Sequence, residues 1–201
     1  MDDEKAKSVR RRRRRKHHRR VRKRRESLSN FREWYVDVLE SLYPKRASGI
    51  AALMISFPLL ERYLRQTNGL KPDQDLNDSC MDTLKTLFAA LPDTATAWDF
   101  WRVYRNGLLH QATLSTHTRK GKILPAGSMT HSLGVPLAVK PNGGFILQPV
   151  LFSKEVVRAI ETNFRIFDGA GTSGPRLPRV EKTALPPIGL GPQTFVLSTK
   201  S

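Results

Sequence analysis

Apolar residues at three- and four-residue intervals organise the chain from about residue 30 onward. Phe31, Tyr35, Val38, Leu39 and Leu42 fall on one face of a helix over Asn30–Tyr43, with Ser29 or Asn30 placed to cap it. A second helix is predicted from about Ser48 to Gln66. It steps through Ile50, Leu53, Met54, Phe57, Leu60, Tyr63 and Leu64, and Pro58 inside it predicts a kink. The run "TNGLKPDQD" then interrupts the pattern. Asp75 or Asn77 can cap a third helix, "SCMDTLKTLFAAL" (Ser79–Leu91), and "PDTAT" leads into a fourth, Ala95 to roughly Thr113.

The pattern then changes period. Short β-type runs, "GVPLAV" and "FILQPV", flank "KPNGG" and predict a β-hairpin at about 131–150. "SKEVVRAIETNFRIF" restores helical spacing, with Ser153 as cap, Glu155 in the first turn, and Val156, Val157, Ile160, Phe164 and Phe167 turned inward. From Gly169 the remaining 33 residues hold ten Gly or Pro and show no hydrophobic period, so 169–201 reads as a disordered tail. Its last apolar run, "FVLST", is a candidate edge strand. The expected fold is mainly α: a bundle of four to five helices over 29–168, with the hairpin between the fourth and last helices. No repeat of 20 to 50 residues suggests a solenoid.

Charge changes this picture at one end. The chain of 201 residues carries a net +17, but residues 10–25, "RRRRRRKHHRRVRKRR", hold 13 Lys or Arg and no acid, which leaves the rest at only +4. Arg10, Arg11, Arg12, Arg13, Arg14, Arg15, Lys16, Arg19, Arg20, Arg22, Lys23, Arg24 and Arg25 form a candidate nucleic-acid tether. Such a block binds polyanions through counterion release, and without aromatic residues it has no means of stacking on bases. Residues 1–28 therefore read as a basic extension, disordered or helical, that tethers RNA, serves nuclear import, or is a solvated tail with no specific partner. A single cysteine, Cys80, excludes an intrachain disulfide or a thiolate metal cluster, and points to a reducing, cytoplasmic setting. No apolar signal segment follows the basic run, and the longest apolar stretch, Gly49–Leu60, is too short to span a bilayer.

The chemistry-bearing segment is "WDFWRVYRNGLLHQA", Trp98–Ala112. At about 100° per residue in an α-helix, Arg105 falls inside the apolar face of Trp101, Tyr104, Leu108 and Leu109. A guanidinium there needs a partner, such as Glu61, or a polar cleft at the core's edge. The same geometry sets His110 about 140° around the helix from Arg105. Gly107 opens room between them. On chemistry alone, an internal ion pair for Arg105 and an ordinary surface histidine explain the pattern.

"RNGLLH" also fits the Arg-polar-x-x-x-His signature of the HEPN superfamily, the higher eukaryotes and prokaryotes nucleotide-binding domains. The chain resembles that family over about Asn30–Asp168, both in helical order and in carrying the motif on a late helix. The resemblance implies a metal-independent endoribonuclease without cofactor, in which two protomers pair and their motifs line a shared cleft. His110 would act as base on the 2′-hydroxyl or as acid on the departing 5′-oxygen, as a group with an ordinary pKa near ~6.5 can. Arg105 would hold phosphate oxygens, and Asn106 would orient the phosphate or His110. Such enzymes suit phage defence or a toxin system, with any antitoxin a separate protein. The alternative within the same resemblance is a non-catalytic module that binds RNA or a protein partner.

Other chemistries lack their residues. Cys80, His117 and His131 lack zinc-ligand spacing, "DGAGTSG" lacks the Lys-Ser/Thr ending of a phosphate loop, and no G-x-S-x-G elbow occurs. Trp98 and Trp101 read as core residues rather than base-stacking platforms.

Overall fold

The computed structural model describes residues 17–18, 21–22, 25–71, 73–111, 117–119, 122–124, 126–141 and 143–169, with the backbone alone for residues 106, 109–111, 117–119 and 122–124. The basic residues of the 10–25 block other than Arg22 and Arg25, residues 112–116 and the tail 170–201 lie outside the described residues. Arg22 and Arg25 are helical and exposed. No helix among the described residues is long and apolar enough to cross a membrane.

Residues 25–31 are helical and run into a π-helix, Arg32–Val36, and then α1, Asp37–Leu42. A 3-10 turn, Arg46–Ser48, opens α2, Gly49–Thr67; α3 is Asp78–Leu87 and α4 is Thr94–Trp101. A second π-helix, Arg102–Gln111, continues α4. Strands β1, His117–Arg119, and β2, Lys122–Leu124, pair antiparallel. A separate three-stranded sheet contains β3, Gly127–Met129, β4, Leu137–Val139, and β5, Phe145–Leu147, in the order β3-β5-β4. Helix α5, Pro149–Thr162, and a short α6, Phe164–Phe167, close the described chain. The architecture is a mainly α-helical bundle with a small three-stranded sheet.

Helix α2 is the central element because it is buried along much of its length, from Ala52 and Leu53 to Leu64 and Gln66. It packs on α5, where the Ser56 hydroxyl lies 2.8 Å from the Ser153 hydroxyl in a buried contact; Ser56 Oγ also lies 2.8 Å from the Ala52 carbonyl and Ser153 Oγ 2.8 Å from that of Pro149. The surrounding core is aromatic. Phe57 and Phe152 approach to 5.0 Å between ring centroids, Phe88 stacks on Phe152 at 4.9 Å, and Phe100 meets Tyr104 at 5.1 Å. At the other end of the core, Phe31 packs against Phe164 and Phe167 at 5.6 and 5.4 Å. These offset and edge-on arrangements suit the ring quadrupoles and add to area burial.

Several expected positions shift for identifiable reasons. The first helix begins upstream of residue 29, so neither Ser29 nor Asn30 caps it, and the π-helix changes the phase of α1 after it. Leu39 is buried as expected, whereas Val38 is 42% exposed. On α2, Ile50 and Met54 face solvent at 46% and 49% exposure, while Ala52, Ser56 and Leu59 take the inward positions. The third helix stops at Leu87, with Asn77 Oδ1 accepting from Cys80 N at its start. Phe88 leaves the helical path to reach Phe152, and Leu91 is buried beyond it.

The hairpin is present as β4 and β5, closed by Lys140 N–H donating to Gly144 O at 2.7 Å with Gly143 at φ +80°. β5 ends after "FIL". Gln148 rather than Ser153 caps the next helix, its side-chain oxygen accepting from Leu151 N at 2.7 Å, and Pro149 occupies the first turn where its fixed φ fits. The hydrophobic pattern predicts neither β3, which pairs parallel with β5, nor the β1–β2 pair.

Candidate functional site: the second π-helix and its ion pair

Asp93 starts the motif-bearing helix by accepting from Thr96 N at 2.7 Å. Its hydrogen bonds to Thr96 hold the Asp93 carboxyl below the usual carboxylate range. The chain then winds as α4 to Trp101 and widens into the π-helix, where the hydrogen-bonding period lengthens from four residues to five. Val103, Tyr104, Gly107 and Leu108 are buried, a stripe of four- and five-residue steps that the wider turn keeps on one side.

This widening changes the relation between the two motif positions. A π-helix closes a turn in about 4.4 residues, so positions 105 and 110 stand one turn apart, offset by roughly 50° rather than the ~140° of an α-helix. The backbone positions of Arg105 and His110 thus share one side of the helix. The side chains of Asn106 and His110 lie outside the described residues. Wide-turn segments of this kind recur at functional sites.

Arg105 is half-buried, and its Nε donates to Glu61 Oε2 on α2 at 3.2 Å. The ion pair expected for Arg105 is formed. Glu61 is itself largely covered, and its other oxygen accepts from Arg65 Nε and Nη2 at 3.1 and 3.0 Å. One carboxylate therefore joins two guanidiniums. Arg65 also reaches the carbonyl of Gln74. The bridge ties α2 to the π-helix and fixes the stem of Arg105 where a purely apolar contact would leave it free to rotate.

A second anchor comes from the sheet. The Tyr104 hydroxyl lies 2.7 Å from Ser128 O and 3.3 Å from Phe145 O, and accepts from Ser128 N at 3.2 Å. Burial pushes its phenol well above the usual range, so it remains a neutral hydroxyl. β3 presses close at the same point: a Cβ on Gly127 would lie 2.8 Å from Val103 Cγ1 and 3.1 Å from Tyr104 Cζ. Only glycine lets the strand approach the helix this closely. Neither Tyr104 nor Gly127 stands out in the sequence, since an aromatic on an apolar face carries no sign that its hydroxyl has a backbone partner. Arg65 is legible in principle, because "ERYLR" sets it four residues after Glu61.

At the front of the helix, Arg102 pairs with Asp99 at 3.3 Å and lies over the Trp98 ring at 5.3 Å, while Trp98 Nε1 donates to Asp78 Oδ1 at 2.7 Å. Trp101 is core; Trp98 is half-buried and polar at its edge. Cys80 is buried, with its thiol raised by burial, which suits a small core residue and not a nucleophile. Among the described residues, no group of three or more His, Cys, Asp or Glu is arranged to hold a metal ion. His131 is exposed.

Comparisons of the chain with family models, with curated proteins and with solved structures give no match.

Proposed function

We propose that the chain is a metal-independent endoribonuclease of HEPN type, acting as a homodimer through Arg105, Asn106 and His110. The observation that carries the reading is the π-helix, whose five-residue period brings motif positions 105 and 110 to one side of the helix, with Arg105 anchored by Glu61. RNA supplies its own nucleophile. A base removes the 2′-hydroxyl proton, the oxygen attacks the adjacent phosphorus, and the bond to the 5′-oxygen breaks as an acid protonates it. His110 is the proton carrier in this reading, and the His110 of a second protomer supplies the complementary acid or base. Arg105 offsets the charge gathering on the phosphate oxygens, and Asn106 orients the phosphate or the imidazole. The basic block at 10–25 would concentrate RNA near the site without choosing a sequence. A role in phage defence or beside a separate antitoxin follows from the same resemblance.

A second reading has its own support. Arg105 Nε is committed to Glu61, as it would be in a non-catalytic module that merely uses the pair to hold its helices and binds RNA or a protein. Incubating the full chain in EDTA with an RNA and with the DNA of the same sequence separates the two. The ribonuclease leaves 2′,3′-cyclic phosphate and 5′-hydroxyl ends on RNA alone; intact RNA across structured and single-stranded substrates favours the binding module.

A further inference from the structure

The structure leaves an apolar groove on the outer side of α2, lined by Trp34, Tyr35, Met54, Ile55, Pro58 and Arg62, with a volume of about 360 Å³. Met54 is 49% exposed inside it, and Ile50, one helical turn earlier, extends the apolar surface.

The end of the described chain contacts one residue of the groove's wall. Arg62, part of its wall, donates from Nε to Phe167 O at 3.1 Å and lies over the Phe167 ring at 5.2 Å from its centroid. Gly169, two residues on, turns with φ +73° and donates to Ile166 O at 2.9 Å. The chain from residue 170 on thus begins two residues after Asp168, whose neighbour Phe167 contacts Arg62 of the groove's wall. That segment, residues 170–201, contains a single run of three consecutive apolar residues, Phe195–Val196–Leu197.

We propose that the groove is the docking site for residues 194–199 of the same chain, with Phe195 and Leu197 entering between Trp34, Met54 and Pro58. About 25 residues separate Gly169 from this run, and a coil of that length has a typical end-to-end span of roughly 25–30 Å, ample for a site beside its own origin. Tethering makes the encounter intramolecular, so modest apolar burial suffices. A second copy is the weaker occupant of this groove: it accepts two or three side chains, whereas a stable interface buries at least ~1,200 Å².

The chain has four methionines, Met1, Met54, Met81 and Met129, and they make the test direct. Met54 lines the groove, while Met81 sits in the core and Met129 on β3. Methyl-13C-methionine spectra are recorded for the full chain and for the full chain carrying Phe195→Asp and Leu197→Asp, with Met54→Leu assigning the resonance. Docking predicts that the Met54 methyl moves between the two proteins while Met81 and Met129 stay in place, reporting an unaltered core. The difference should persist on dilution, and a peptide of residues 192–201 added to the variant should move Met54 back. An identical Met54 resonance in both proteins overturns the proposal, as does a difference that vanishes on dilution, which would assign the groove to a second copy.

Discussion

Glu61 holds two positive side chains with one carboxylate, so its removal is felt twice. Glu61→Ala leaves Arg105 and Arg65 partly buried without their shared acceptor, and urea unfolding should show a loss of about 1–2 kcal/mol, less than a fully buried pair because both guanidiniums keep some solvent. Tyr104→Phe removes a hydroxyl that bonds the Ser128 backbone and ties the helix to β3, and losing that contact should cost roughly 0.5–1.5 kcal/mol in the same measurement. The Arg105–Glu61 pair was legible in the sequence because an arginine on an apolar helix face demands an acid. The reach of Tyr104 across to β3 was not, since it depends on a strand pairing between segments that only the folded chain brings together.

At the scale of elements, the helices were readable because their apolar faces repeat, and one start was readable from its capping side chain, Asn77, whereas the Gln148 cap was not. What escaped the pattern is the winding. A π-turn has no strong compositional mark, and it displaced Val38 to the surface on one helix and brought positions 105 and 110 together on another. β3 escaped as well, because three residues of modest hydrophobicity, "GSM", carry no alternation. Its fit is nevertheless strict: Gly127→Ala sets a methyl against Val103 and Tyr104, and overpacking should destabilise the fold by about 1–3 kcal/mol, read as a lower denaturation midpoint. The Asp93 cap adds a pH dependence. Its folded pKa is depressed, so its contribution is present above the ordinary aspartate pKa and is lost as pH falls through the folded value. Asp93→Ser, which caps without titrating in this range, should flatten the acid side of the stability profile in thermal melts between about pH 5 and about pH 2.

The whole molecule divides its labour along the chain. A strongly basic segment precedes a helical body of small net charge, and the proposed site lies in the body. Affinity and chemistry should therefore separate. Replacing the arginines of residues 10–25 by glutamine should weaken RNA binding and flatten its dependence on salt, while any cleavage retains the same product ends. The central proposal is that Arg105 and His110 act together in cutting RNA without a metal. Its most direct test compares RNA cleavage in EDTA by the full chain with His110→Ala and Arg105→Lys, alongside their melting temperatures. Cleavage should be abolished in His110→Ala with an unchanged melt, and should fall steeply in Arg105→Lys, whose point charge cannot reproduce the planar guanidinium's contacts. Undiminished cleavage by His110→Ala would contradict the proposal.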